Sequence, residues 1–216
     1  MIITCLGHAK FLLELDNGMR LVTDPFDAST GYPVVPVRAD AVLVSHQHHD
    51  HNALDTVQGY TRVLDTPGTH TLSTDVSVEA IEAFHDGEQG RLRGKTLLSV
   101  ISAEGLRVAH LGDLGHLPDE KQAALLRDVD VLMVPVGGHY TIGPAQAKAV
   151  CDMLNPRVIL PMHYCTAYNA SWPIAPVEDF TKLLGGEVEE LDMLRITSGD
   201  MKCQPRAAVL RAAVGA

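Results

Sequence analysis

The chain has 216 residues, 46% hydrophobic and 20% charged, with 17 basic against 27 acidic side chains for a formal net charge of −10. Such a length and balance fit one globular domain with a core of its own and exclude a collagen, a coiled coil and a largely disordered chain. No Lys/Arg block beyond Arg91, Arg93 and Lys95 could answer a phosphate backbone, and no apolar run approaches the ~20 residues of a membrane-spanning helix. A small-molecule substrate is therefore expected, with neither nucleic acid nor membrane as partner.

In chain order, short β-branched runs predict strands over Ile2–Leu6, Lys10–Leu15, Arg20–Thr23, Ala41–Val44, Thr61–Leu64, Leu97–Ser102, Leu106–Leu111, Val131–Val136 and Val158–Pro161. The first of these are joined by short turns, Asp16-Asn17-Gly18 being a good hairpin signal. Helices are predicted where Pro118 and Asp119 lead into Leu125 and Leu126, from Pro144 through Ala147, Val150, Cys151 and Leu154, and from Pro176 to Leu184 before Gly185-Gly186. Together these predict a single domain over residues 1–200 and a loosely held tail over 201–216, where periodicity is lost. The composition leaves the oligomeric state open.

The N-terminal Met1 to Leu6 lacks the basic start of a leader, and Cys5, Cys151, Cys165 and Cys203 form no C-x-x-C pair. Reduced thiols and a cytoplasmic location are the expectation. Cys165, two residues after His163, reads as a core thiol rather than a thiolate ligand.

Three apolar strands run directly into a residue able to bind metal: Val42 to Ser45 into His46, Val108 to Gly112 into Asp113, and Val158 to Met162 into His163. Ligands delivered from strand ends are how a rigid sheet builds a site. The densest signal is His46-Gln47-His48-His49-Asp50-His51, an H-x-H-x-D-H pattern that chance would place in a chain of this composition with probability roughly 0.002. In extended backbone, residues two apart point the same way, so His46 and His48 can grip one ion together. Asp50 and His51 are neighbours and suit a second ion beside it. Neutral imidazole with carboxylate is a donor set for zinc, iron or manganese.

H-x-H-x-D-H after an apolar strand resembles the signature of the metallo-β-lactamase superfamily. Four further segments are similar to its remaining parts: Ala83-Phe84-His85, Leu111-Gly112-Asp113-Leu114-Gly115, Gly137-Gly138 through Pro144, and Pro161-Met162-His163-Tyr164. The opening Leu6-Gly7-His8 and Asp24-Pro25-Phe26 resemble the branch holding ascorbate-6-phosphate lactonase and many uncharacterised metal-dependent hydrolases. The resemblance implies an α/β fold, the four-layer αββα sandwich, and a first metal on His46, His48 and His85. It implies a second metal on Asp50, His51 and His163, with Asp113 bridging the pair.

The implied cofactors are two divalent ions, zinc first, manganese or iron as alternatives. The implied activity is hydrolysis of a lactone, ester or phosphodiester in a small anionic substrate by a metal-bridging hydroxide, with Asp50 as the catalytic carboxylate. The alternative is an iron dioxygenase-like oxidoreductase of the same superfamily. A non-catalytic metal-binding protein ranks behind both.

Other polar residues have weaker signals. His8, Arg91, Arg93 and His139 are candidate substrate contacts, the arginines because a local positive patch in an acidic chain could hold an anion. His70 rivals His85 but reads as part of a turn. His49 reads as solvated or as a support to the ligands, and His110 as a support or core residue.

Overall fold

A computed structural model describes residues 1–199 and 206–214. Alternating burial marks the first strand, β1 (Ile2–Gly7), which points Ile3 and Cys5 inward. The backbone of Asp16-Asn17-Gly18 turns β2 (Lys10–Glu14) into β3 (Arg20–Thr23), with Gly18 N and Leu15 N closing the hairpin on Leu15 O and Met19 O. Next come β4 (Val37–Arg38), β5 (Ala41–Leu43), β6 (Val57–Gln58) and β7 (Arg62–Leu64). The middle of the chain holds β8 (Gly68–Ser73), β9 (Val76–Phe84), β10 (Lys95–Ala103) and β11 (Leu106–His110). The remainder are β12 (Val131–Pro135), β13 (Val158–Met162), β14 (Val188–Leu191), β15 (Leu194–Arg195) and β16 (Ala207–Leu210).

These build a six-stranded sheet, ordered β15-β1-β2-β3-β5-β7, and an eight-stranded sheet, ordered β14-β16-β13-β12-β11-β10-β9-β8. A separate ribbon pairs β4 with β6. The sheets meet through one apolar layer: Ile3, Phe11, Leu13, Leu21 and Leu43 from the first against Val78, Ile101, Val108, Met133 and Leu160 from the second. That is the expected sandwich of a mixed α/β chain.

The three α-helices among the described residues all pack on the outer face of the eight-stranded sheet. α1 (Glu120–Leu125) begins with a capping box in which Asp119 and Gln122 satisfy each other's backbone N–H. α2 (Pro144–Leu154) starts on its proline and ends on left-handed Asn155, and α3 (Val177–Leu184) stops at left-handed Gly185. Ala147, Val150, Cys151, Leu154 and Phe180 bury their apolar faces against Leu98, Ala109, Leu132 and Ile159. The other outer face, carrying Leu12, Val22, Val42 and Val44, is covered by Ala39, Leu54, Val57 and Tyr60. These belong to connecting segments with 3₁₀ turns and the small ribbon, so the fourth layer contains no α-helix among the described residues.

α1 and α2 are the crossovers that make β11, β12 and β13 parallel. The C-terminal ends of these strands therefore lie on one edge of the sandwich. β3 and β5 run parallel in the facing sheet, and their ends carry Asp24 and Ser45-His46.

The C-terminal stretch differs from expectation. Residues 207–210 form β16, buried and paired in parallel with both β13 and β14. Its Ala-Ala-Val-Leu sequence carries no alternation because both faces are covered. Residues 200–205 and 215–216, with Cys203, lie outside the described residues. No described helix is long and apolar enough to cross a membrane.

Candidate metal centre

Four strand ends bring the donors together: β5 leads into His46, β9 into His85, β11 into Asp113 and β13 into His163. The loop after His46 folds back, with His51 N bonded to His48 O, so that His48, Asp50 and His51 join them. Backbone strain concentrates here, His163, His8 and Asp24 having left-handed φ of 53°, 54° and 36°. Each such residue costs about 1–3 kcal/mol, a cost met by the surrounding packing. Gly112 (φ 48°) precedes Asp113 because a Cβ there would come within 2.7 Å of Ser45 Cβ and 2.9 Å of Leu97 O. Only glycine lets β11 pass beneath the end of β5.

Two groups of donors adjoin. His46, His48 and His85 offer ring nitrogens lying within 4.8 Å of one another, as do the donors of His8, Asp50, His51 and His163. Asp113 stands between the groups. Its Oδ2 is 3.2 Å from His85 Nε2 and 3.2 Å from His163 Nε2, while its Oδ1 is 3.3 Å from His51 Nε2.

Donors bonded at about 2.0–2.1 Å to one tetrahedral cation lie roughly 3.3–3.4 Å apart, the spacing seen here. Buried His46 Nε2, His51 Nε2 and Asp113 Oδ1 have no hydrogen-bond partner. Buried polar atoms are not left so without cause. The chemistry and spacing of the set fit divalent cations.

The outward nitrogens of His51, His85 and His46 are held. His51 Nδ1 is 2.8 Å from Asp24 Oδ2, and His85 Nδ1 is 3.1 Å from the Tyr140 carbonyl. Ser45 Oγ bridges Asp24 Oδ2 at 2.6 Å and His46 Nδ1 at 2.9 Å, while Ser45 N donates to Asp24 Oδ1 at 2.7 Å. Asp113 N donates to Thr96 Oγ1 at 3.2 Å. Such partners fix ring orientation.

Burial pushes His46 down to about 3 and His8 down to about 4, leaving neutral imidazoles with free lone pairs. For His51 burial acts downward too, but the carboxylates of Asp113 and Asp24 outweigh it and raise it well above its ordinary value. Burial opposes ionisation of Asp113, yet His163 and His51 hold it well below the carboxylate range.

A cleft of about 320 Å³ opens onto this centre, lined by His48, His49, Asp50, His85, Arg93, Asp113, Tyr140 and Trp172. Arg93 lies over the Tyr140 ring, 5.6 Å from its centroid. Arg91 turns away to Glu88, its Nε 3.1 Å from Glu88 Oε2. His139 is exposed and packs edge-on against Tyr140, outside the lining of the cleft. His8, expected at the substrate, is instead buried beneath the cleft and borders a separate cavity of about 390 Å³ with Tyr32 and Tyr164.

His70 lies in β8 rather than a turn, its Nε2 2.8 Å from the Thr66 carbonyl. His49 is held at the surface by Ser29 Oγ, 2.9 Å away. His110 Nε2 faces Ala9 O at 3.0 Å, and its Nδ1 accepts from Gly112 N at 3.2 Å. Cys165 joins neither donor group, and Cys5, Cys151 and Cys165 are free thiols.

Residues 2–163 match the model of the Beta-lactamase superfamily domain. A UPF0173 metal-dependent hydrolase of Archaeoglobus fulgidus is 30% identical over 93% of this chain and 97% of its own, and that of Thermococcus onnurineus is 31% identical over 85% and 92%. The chain belongs to the UPF0173 metal-dependent hydrolase family of the metallo-β-lactamase superfamily. A solved structure from Thermotoga maritima, named as a candidate Zn-dependent hydrolase of that superfamily, is 40% identical and superposes with a TM-score of 0.79 over 97% of each chain.

Four parts of this hydrolase's site escaped the sequence reading. Asp24 carried a signal, an Asp-Pro pair directly after a strand, though not its role of holding both Ser45 and His51. Thr96 and Trp172 carried none. Asp86 follows His85 and organises the next loop, its Oδ1 accepting from Glu88 N and Gly90 N and its Oδ2 from Leu92 N and Arg93 N, all at 2.8–2.9 Å.

Proposed function

We propose that this hydrolase is dinuclear and cleaves a lactone, ester or phosphodiester bond in a small anionic substrate. His46, His48 and His85 hold one divalent cation, and Asp50, His51 and His163 the other, with Asp113 between. Zinc is the first choice of metal, supported by the donor set and by the name given to the Thermotoga maritima relative; manganese and iron are the alternatives. The observation that carries the reading is Asp113, whose two oxygens lie 3.2–3.3 Å from nitrogens of both donor groups.

When bound, such a pair supplies a water of lowered pKa and a Lewis acid for charge developing on the substrate. The chain's own residues do the rest. Asp50 lines the cleft beside the centre and is held ionised by His51 and His8 against the opposing effect of burial. It is placed to orient the attacking water and take its proton.

Arg93, its guanidinium over the Tyr140 ring, offers a charged fork to a substrate carboxylate or phosphate. Tyr140 and half-buried Trp172 wall the cleft and limit water. The motifs resembling the ascorbate-6-phosphate lactonase-like branch put lactones first among bonds to try. Free thiols at Cys5, Cys151 and Cys165 support a cytoplasmic setting.

Elemental analysis of the purified protein, combined with a panel of lactones, thioesters and phosphodiesters, tests the reading. Two zinc or manganese ions per chain and turnover of an anionic member are expected. One iron per chain with dioxygen uptake would overturn it in favour of the oxidoreductase.

A further inference from the structure

The two donor groups are not equivalent, and the difference lies in His8. This residue lies outside the H-x-H-x-D-H loop; it follows β1 directly, in the tight turn between β1 and β2. The turn is fixed from several directions. Gly7 (φ 112°) lies against the Tyr32 ring, where a Cβ would come within 2.7 Å of Tyr32 Cδ1. Thr23 Oγ1 donates to the Ala9 carbonyl at 2.9 Å, and His163 N donates to the His8 carbonyl at 3.3 Å. The left-handed backbone at His8 then drives its ring inward against His163, 4.2 Å between centroids.

His8 is fully buried there, and neither of its ring nitrogens has a hydrogen-bond partner. Its Nε2 is 3.3 Å from Asp50 Oδ2, which is itself 3.5 Å from His51 Nε2. These are separations between ligands of one ion, and the His8 donor lies within 4.8 Å of those of Asp50, His51 and His163. A hydrogen bond to Asp50 alone would not account for the His8 donor also lying within reach of those of His51 and His163. A role toward substrate would need an accessible ring nitrogen, and both nitrogens of His8 are buried.

We propose that His8 is itself a ligand of the second cation, an inference that rests on the two-ion reading above. With His8, Asp50, His51 and His163 the second site has four protein ligands before the shared Asp113 is counted. The first keeps three imidazoles, and His48 among them is exposed toward the cleft. Sites filled by protein ligands are characteristic of structural cations, and sites with a position left open of catalytic ones. The centre would therefore be asymmetric: the His46–His48–His85 side would be the one open to substrate and water, while His8 would help hold the other cation beside Asp113 and Asp50.

The test compares the full-length chain with His8→Gln and His8→Ala, loaded with zinc or cobalt(II). The readouts are metal per chain at buffered free metal and the visible absorption of the cobalt forms. Gln keeps an amide N–H for Asp50 but lacks the imidazole lone pair. Two ions are expected in the native chain. Both variants should hold the second at least ~10–100-fold more weakly, the loss known for mere outer partners. The cobalt band of that site should change, while affinity for the first ion, which reports intact folding, stays the same. Native affinity and spectrum for both ions in His8→Gln would overturn the ligand role and leave the dinuclear reading standing. Equal loss at both sites would also overturn it, by marking His8 as a general structural residue. A native chain that takes up a single ion would overturn both.

Discussion

Asp24 Oδ2 lies 2.8 Å from His51 Nδ1, and both groups are buried away from solvent. The same carboxylate binds the backbone and hydroxyl of Ser45, whose hydroxyl in turn meets His46 Nδ1. One carboxylate from the six-stranded sheet thus orients one ring of each donor group.

Asp24→Ala should therefore weaken metal binding at both groups by roughly 10–100-fold, as loss of an outer-sphere partner does elsewhere. It also leaves Ser45 N without an acceptor, at about 1–3 kcal/mol of stability. Metal competition titrations and denaturant unfolding check the two effects separately. Undiminished affinity would remove Asp24 from the architecture of the centre.

Removing metal should destabilise the fold. Asp24, Asp50 and Asp113 converge with buried imidazoles, several without partners, and a cation bound only by the folded chain stabilises it by mass action. At a free metal concentration of 100 Kd the gain is about 2.7 kcal/mol, and at about 2–4 °C per kcal/mol in a chain of this size the chelated protein should melt roughly 5–10 °C lower. Scanning calorimetry with and without chelator decides it; coincident transitions would count against any resident metal.

Arg93 and Arg91, equivalent in the sequence, should differ in function. Arg93 borders the cleft, whereas Arg91 is engaged with exposed Glu88. Arg93→Gln should raise KM for an anionic substrate at least ~10-fold, consistent with about 1.5–3 kcal/mol for a charge-assisted hydrogen bond. A neutral analogue should be indifferent, and Arg91→Gln should change neither. Similar effects from both variants would point to general electrostatics instead.

The loop carrying Arg93 should be acid-sensitive through Asp86. Burial opposes ionisation of this carboxyl, but four backbone N–H groups outweigh it and hold it down to about 2. A carboxylate depressed in the folded state contributes stability above its unfolded pKa, near 4, and loses it as pH falls toward 2. Asp86→Asn should accordingly be less stable than the native chain at pH 7, with the gap narrowing between pH 4 and pH 2. Hydrogen exchange over residues 87–93 and acid-unfolding curves give the comparison. A gap independent of pH would show that the charge is not what organises the loop.

Much of the fold could be read from local pattern. β1 alternates, β2 and β3 are apolar runs joined by a turn signal, α2 has its proline start, and α1 its Asp119 cap, each a rule acting over a few residues. β9 was passed over because Glu79 and Glu82 are poor strand formers. Its period-two burial of Val76, Val78 and Ala80 is decided by pairing along its whole length with β10. β16 carries no alternation for the opposite reason: Ala208 and Leu210 pack between the sheets and Ala207 beneath the helices, so neither face is left open to solvent.

For the centre, the chain by itself determined the donors that are contiguous, His46, His48, Asp50 and His51, because their spacing alone brings them together. Resemblance extended that set to His85, Asp113 and His163. Only the tertiary structure decided which distant residues complete it: Asp24 arrives from the end of β3, His8 from a hairpin turn, and Arg93 rather than Arg91 from a loop tied to Asp86. The physical reason is that these roles are set by where strand ends from two different sheets come to lie, and that depends on the packing between the sheets, which no short window of sequence contains.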